Sequence, residues 1–235
     1  MNNQIEALVL AGGLGTRLRP AIGSSTPKAL APIGKEPFLN LLFDNLIRAN
    51  IERATISIGH LGSAIREKYN QGYKSLQIQF IEEATPLGTG GAVQNALLSM
   101  RCQFVLILNG DTLIEYPVKE MIDKLETGVD AVALVTRVEN SDRFGSIEIS
   151  ETGFVTGLLE TESHKPTHVY AGVTLAKPRA LSSLSLPPFP FGFEEEILRK
   201  LSNRRQLKAI LTPKGFLDIG TPQSFIQAQE NAREE

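Results

Sequence analysis

The sequence predicts a doubly wound α/β protein, built on a mostly parallel sheet with helices on both faces and carrying a small antiparallel subregion. Two textures of the chain predict it. Through the first half, short β-rich apolar runs alternate with amphipathic stretches, the pattern of βαβ units. Beyond Val138, short strands punctuated by glycine follow one another with no helix-length stretch between them. The 235 residues, 42% hydrophobic, are enough to bury a substantial core.

Taken in order, residues 5–10 form the first strand, and the glycines that follow it open a long polar loop. Residues 38–49 place Leu39, Leu42, Phe43, Leu46 and Ile47 at helical spacing, an apolar stripe that covers the sheet as the first crossover helix. Residues 54–58 and 76–81 alternate with period two, whereas 104–108 is apolar throughout and marks the sheet centre, where both faces are covered. The short strands 145–149, 154–159 and 169–175 make up the antiparallel part. After a polyproline-like loop at 187–190, helices are expected at 194–201 and 222–232, with one more strand at 207–211 between them. The expected organisation is a single domain over 1–235. It comprises a core at 1–137, the subregion at 138–190, and a completion of the core at 191–235.

Composition excludes several functions. Lys and Arg number 24 against 26 Asp and Glu, a net charge of −2 with no long block of either sign, so the electrostatic footprint of a nucleic-acid binder is missing. The single Cys102 permits neither an intramolecular disulfide nor a CxxC site. No basic segment precedes the short apolar run at the N-terminus, and no apolar run approaches the ~20 residues that span a bilayer. A soluble, cytoplasmic protein with no membrane partner is expected.

The most informative segment runs from Leu10 through Ala11, Gly12, Gly13, Leu14, Gly15, Thr16, Arg17, Leu18 and Arg19 to Pro20, at the carboxyl end of the first strand, where open α/β sheets bind ligands. It is neither a Rossmann fingerprint, since Leu18 stands where the third glycine would be, nor a Walker A loop, since Gly15-Thr16-Arg17 replaces Gly-Lys-Ser/Thr. What remains is a loop whose backbone N–H groups can approach an anion, with Arg17 and Arg19 as fixed charges. A tight turn with solvated arginines is the plain alternative. Lys28, behind Pro27, could reach the same anion or be a surface lysine.

A second glycine-rich turn, Glu82 to Ala92, follows the strand at 76–81, and two such loops on one edge suggest a nucleotide lying across it. Asn109-Gly110-Asp111 leaves the central strand at the same edge, and Asp218 stands in an apolar context before Gly220-Thr221-Pro222. Two carboxylates from distant segments suit Mg²⁺, which takes one or two carboxylates together with waters and substrate phosphate oxygens. Alternatively, Asp111 caps a turn and Asp218 accepts backbone hydrogens.

In order, the segments LAGGLGTRLRP, TPKAL, PLGTGGA, NGD and DIGTP resemble the sugar-1-phosphate nucleotidyltransferases, also called nucleoside-diphosphate-sugar pyrophosphorylases, over nearly the whole chain. Within that family the PLGTGGA loop and the end of the chain are most similar to the D-glycero-D-manno-heptose 1-phosphate guanylyltransferases. The resemblance implies the nucleotide-diphospho-sugar transferase fold, in which the antiparallel subregion binds the sugar. It also implies attack of a sugar 1-phosphate on the α-phosphorus of a nucleoside triphosphate, GTP first and UTP second, with Mg²⁺ as cofactor and pyrophosphate as leaving group. Leu10, Ala11, Gly12, Gly13, Gly15 and Thr16 would hold the nucleotide, and Glu82, Pro86, Leu87, Gly88 and Thr89 would face its base. Arg17 and Lys28 would act on the phosphates, and Asp111 and Asp218 would hold the metal. Asn109, Gly145 with Phe144 before it, Glu160 and Gly172 would contact the sugar phosphate.

One departure stands out: where many relatives follow the glutamate with a lysine for the sugar phosphate, Glu160 is followed by Thr161, and Lys165 is a candidate substitute. Two other classes are weighed. A glycosyltransferase of the related fold would present Asp-x-Asp where this chain has Asn109-Gly110-Asp111. A non-catalytic sensor has only the Thr161 departure in its favour, against an intact Arg17, Lys28, Asp111 and Asp218. His60, His164 and His168 receive no role. Phe189, Phe191 and Phe193 read as loop anchors, and Glu194-Glu195-Glu196 as a solvated first turn favoured by the helix dipole.

Overall fold

A computed structural model describes residues 4–139, 145–159, 167–212 and 216–234. Its spine is the parallel trio β1 (Ile5–Ala11), β4 (Arg53–Ile58) and β5 (Gln77–Glu82), joined on the other side of β1 by β6 (Phe104–Asn109). The short β2 (Pro32–Ile33) and β3 (Glu36–Pro37) lead into α2 (Phe38–Arg48), and α3 (Gly62–Tyr69) and α4 (Gly88–Leu97) make the next crossovers. A single turn, α1 (Arg19–Ile22), closes the glycine loop after β1. The chain leaves β1 toward β4 and later returns to its other side as β6, so the winding direction reverses at β1. Ligand crevices open outside the strand ends at such a reversal.

The two faces are separable residue by residue. Ala7 and Val9 of β1 and Leu106 and Leu108 of β6 pack into one core with Phe38, Leu42 and Leu46 of α2. Leu8, Val105 and Ile107 point the other way, into a second core with Val93 and Ala96 of α4. Residues 104–108 are all buried, the central position expected of them. The helix expected at 38–49 is α2, and Leu39, Leu42, Phe43 and Leu46 of its apolar stripe are buried in the first core, with Ile47 packed against it.

Strand β4 departs from its expected period-two exposure: every residue from Ala54 to Ile58 is buried. Its polar members are buried with partners, Thr55 donating to Glu6 at 2.7 Å and Ser57 to Glu83 at 2.9 Å. A hydroxyl that finds a carboxylate can sit on a covered face, and spacing alone does not reveal that partner. Strand β5 does alternate, half-buried Ile78 and Phe80 against exposed Gln77 and Gln79.

Beyond β6 the chain adds β7 (Thr112–Leu113), α5 (Val118–Asp123), β8 (Ala131–Val138), β9 (Ser146–Ile149), β10 (Val155–Leu159), β11 (Thr167–Ala176) and α6 (Pro178–Ser182). The antiparallel strands do not stand apart. Strand β11 lies antiparallel to both β6 and β8 within the nine-stranded sheet, and β9 and β10 extend from its N-terminal half. A register irregularity between Tyr170 and Thr174 brackets Gly172, whose φ is +75°. At that bend β11 leaves β6 and turns to β9. A π-helical turn, Phe193–Leu198, leads into α7 (Arg199–Asn203), and the chain ends through β12 (Leu207–Thr212), β13 (Leu217–Asp218) and α8 (Pro222–Glu234). The helix expected over 194–201 is therefore two pieces with different pitch. Among the described residues no helix is long and apolar enough to cross a membrane.

Candidate active site

The strand ends of β1, β4, β5 and β6 meet at one edge, where a cleft of about 1210 Å³ opens. Glycine lets the backbones converge there. A Cβ on Gly110 would lie 2.5 Å from the carbonyl oxygen of Leu10, and one on Gly59 would lie 2.8 Å from that of Gly12, so neither position accepts a side chain without moving a strand end. Gly13, by contrast, has nothing within 4 Å of a Cβ position. Its backbone faces the open cleft, where an anion could approach. Leu10, Ala11, Gly12, Gly13, Gly15 and Thr16 all line the cleft, as the sequence suggested for the nucleotide.

The two arginines of this loop part company. Arg17 lines the cleft and makes no hydrogen bond or ion pair among the described residues. Arg19 is spent on the loop itself, donating to the Leu14 carbonyl at 3.3 Å and lying 3.2 Å from His60 Nε2. His60, given no role from the sequence, lines the cleft, held there by this contact. Lys28, on a 3₁₀ turn behind Pro27, reaches across to pair with the Asp111 carboxylate; their side chains are 18% and 33% exposed. The lysine expected to meet phosphates thus rests on the carboxylate expected to meet the metal.

Asp218 reaches the same place through strand pairing. It lies opposite Thr112 in the β13–β7 ladder, and the Ile219 N–H donates to the Asp111 carbonyl at 3.0 Å. Its Oδ1 accepts from the Gly220 N–H at 2.6 Å, so the expected alternative of a backbone acceptor describes one of its oxygens, while the residue still lines the cleft. Two carboxylates converge from segments more than 100 positions apart, and hard oxygen donors of this kind suit a small divalent cation completed by water and phosphate. Among the described residues no group of three or more His, Cys, Asp or Glu could hold a metal.

The second glycine loop contributes differently from expectation. Glu82 turns outward to Arg66, 3.0 Å away, and it is Glu83 that lines the cleft. Glu83 is a strut: Oε1 accepts from Ser57, Oε2 accepts from the Leu87 N–H at 3.1 Å, and a Cβ on Gly12 would lie 2.5 Å from Oε1. Pro86, Gly88 and Thr89 line the cleft, whereas Leu87 contacts the neighbouring loop, its carbonyl accepting from the Phe191 N–H at 3.1 Å. The glycines here answer to packing. With φ of +73°, Gly88 would place a Cβ 2.4 Å from the Phe191 carbonyl oxygen, and Gly90 would place one 2.6 Å from the Phe191 ring. Thr89 Oγ1 accepts from the Phe193 N–H at 2.9 Å. Phe191 and Phe193 are buried anchors, while Phe189 stacks on Phe191 and is 54% exposed.

The opposite wall carries more side chains. Asn109, Gly145, Gly172, Leu158, Leu159 and Tyr170 line it, joined by Glu194, Glu195 and Arg199. Tyr170 is buried with its hydroxyl 2.9 Å from Thr174 Oγ1. Glu194 is not the solvated first-turn residue expected: loss of solvent, with Glu195 beside it, pushes its carboxyl up to about 7. The expected contacts at Phe144, Glu160, Thr161 and Lys165, and the histidine at His164, lie outside the described residues. His168, in β11, pairs with Arg137 in the β8 register, away from the cleft. Sequence reasoning singled out Glu82 where Glu83 lines the cleft, and overlooked Glu194, Glu195 and Arg199 as lining residues. The only signal was the clustering of Glu194, Glu195, Glu196 and Arg199 after a proline-rich loop.

Comparison with known proteins gives one consistent answer. The family described as Nucleotidyl transferase matches residues 6–235. A D-glycero-alpha-D-manno-heptose 1-phosphate guanylyltransferase of Aneurinibacillus thermoaerophilus is 30% identical over 96% of this chain and 97% of its own length, and one from Campylobacter jejuni is 28% identical over 94% and 97%. Among solved structures, HddC from Yersinia pseudotuberculosis complexed with GMP-PN superposes with a TM-score of 0.82 at 28% identity, covering 96% of this chain and 98% of that one.

Proposed function

The chain belongs to the nucleotidyl transferase family, and on that premise we propose that it joins a sugar 1-phosphate to a nucleoside triphosphate, with GTP and D-glycero-D-manno-heptose 1-phosphate as the first pair to try. The observation that carries this reading is one cleft with two unlike walls. A glycine-backbone wall faces a wall of polar side chains, with Lys28, Asp111 and Asp218 between them. Support for guanine and heptose comes from relatives with those substrates in their names that align with almost the entire chain.

In the reaction, an oxygen of the sugar phosphate attacks the α-phosphorus, the bond from that phosphorus to the oxygen bridging the β-phosphate breaks, and pyrophosphate leaves. A phosphate monoester is largely ionised at neutral pH, its second pKa being about 6 by analogy with phosphoamino acids. The protein therefore has no nucleophile to deprotonate. Its task is to hold two polyanions in line and offset charge on the α-phosphate. Backbone N–H groups around Gly13 and the free guanidinium of Arg17 suit the triphosphate. Lys28 must exchange Asp111 for a phosphate oxygen, which frees the carboxylate. A divalent cation, Mg²⁺ in our proposal, would be held by Asp111 and Asp218 and would supply charge neutralisation on the phosphates when bound. Its loss to a chelator should abolish turnover. A cytoplasmic location would give the protein its triphosphate.

The test is pyrophosphate release with Mg²⁺, presenting GTP, UTP, CTP, ATP and dTTP against heptose, mannose, glucose and N-acetylmuramic acid 1-phosphates. We expect release that requires both partners and is fastest with GTP. A guanylyltransferase preferring mannose 1-phosphate or a uridylyltransferase would show as a different winning pair. A triphosphate that binds with no pair reacting would favour the sensor.

A further inference from the structure

The acceptor sugar phosphate is the one polyanion of the reaction with no cation yet placed beside it. Its phosphate is mostly a dianion near neutral pH, and it must approach a triphosphate carrying more negative charge still. Arg17 and Lys28 stand on the nucleotide side of the cleft, and Lys28 already carries a carboxylate. The described side-chain wall offers a single cation to the cleft, Arg199.

Its position follows from the local helix. Over Phe193–Leu198 the backbone closes as a π-turn, and the Arg199 N–H donates to the Glu194 carbonyl, five residues back. That closure stacks residues 194 and 199 on one side, in place of the 195-and-199 pairing of an α-helix. Both then face the cleft. Helix α7 is fixed to β10, where Ser202 Oγ donates to the Val155 carbonyl at 2.9 Å, and Arg199, Leu158 and Leu159 all line the cleft. It forms no ion pair among the described residues.

We propose that the Arg199 guanidinium holds the phosphate of the sugar 1-phosphate. The proposal rests on the nucleotidyl-transfer reading. A guanidinium presents paired N–H donors that match two phosphate oxygens, so it both neutralises the acceptor and orients it toward the α-phosphorus.

The experiment compares wild type with Arg199→Ala, Arg199→Lys and Lys165→Ala, varying sugar 1-phosphate and triphosphate separately. Arg199→Ala should raise KM for the sugar phosphate roughly ten- to a hundredfold, leaving KM for the triphosphate and the melting temperature near wild type. Arg199→Lys should recover part of the loss. An unchanged sugar KM in Arg199→Ala overturns the proposal, as does an equal rise in both KM values, or a rise confined to Lys165→Ala. Calorimetric titration of mannose 1-phosphate and of heptose 1-phosphate into the same proteins separates this outcome from failure of the wider reading. If wild type releases no pyrophosphate, binding that weakens in Arg199→Ala still supports the residue's role, and binding that does not weaken overturns it.

Discussion

The two walls of the cleft are made of different material. On the nucleotide side, Gly12, Gly59, Gly88 and Gly110 are pressed against backbone or against Glu83, with Cβ positions 2.4–2.8 Å from the nearest atom, so the wall is main chain packed on main chain. On the other side, Tyr170 of β11 and Glu194, Glu195 and Arg199 of the π-turn and α7 present side chains. Main-chain walls are rigid and nearly indifferent to side-chain identity, whereas a side-chain wall can be altered one residue at a time without disturbing the sheet. On the proposed function, the fixed chemistry belongs to the first wall and the choice of sugar to the second.

This contrast can be broken most severely at its hinge. Asp111→Ala removes a carboxylate of the proposed metal site and the partner of Lys28, and turnover should fall by at least about a hundredfold with substrate binding reduced far less; steady-state kinetics with Mg²⁺ held in excess would measure it. A rate within a factor of two of wild type would remove Asp111 from the metal site.

Next in size is Gly88→Ala, which forces a side chain into φ of +73° and against the Phe191 carbonyl. We expect a loss of about 1–3 kcal/mol in urea denaturation, together with weaker triphosphate binding. If the variant is as stable as wild type, the nucleotide wall is softer than its packing implies.

Glu194 tests the other wall. Its carboxyl is raised from the ordinary value of 4.5 to about 7 by burial, with Glu195 adding to it. The folded state therefore holds a proton between those values that the unfolded chain has released. Glu194's contribution to stability is highest below about pH 4.5, declines as pH rises to about 7, and levels off above. At ~1.4 kcal/mol per pKa unit the decline is of order 3 kcal/mol. Glu194→Gln should abolish this component, so denaturation at pH 5 and pH 8 should show a smaller difference in the variant. An identical pH dependence would mean that the carboxyl is not held neutral.

The smallest effect sharpens the boundary. Glu82→Ala loses only an exposed pair with Arg66 and should change stability by less than about 1 kcal/mol, with neither KM moved. An altered triphosphate KM would return Glu82 to the base-facing role that the resemblance implies for it.

Much of this was legible in the chain. The all-apolar 104–108 run identified the sheet centre, and helical spacing from Leu39 to Ile47 identified α2. The glycine and aspartate segments were legible as a cleft edge because they follow strands at their carboxyl ends. Hidden from view were the outward turn of Glu82, the resting of Lys28 on Asp111 and the half-buried setting of Glu194. Each depends on which segment lies opposite, and local spacing carries no record of that. The π-turn was also hidden, since one extra residue in a helical turn leaves no mark in a hydrophobic pattern.

By itself the sequence determined the winding of the sheet, the glycine loop at its carboxyl edge, and the carboxylates and cations available to a polyanion. These follow from periodicity and backbone freedom, which are properties of neighbours in the chain. Only the tertiary structure decided that Lys28 rests on Asp111, that Glu83 braces the loop behind Gly12, and that Arg199 lines the same cleft as Leu158 and Leu159 of β10. Those pairings join residues tens of positions apart, brought together by burying the two faces of one sheet.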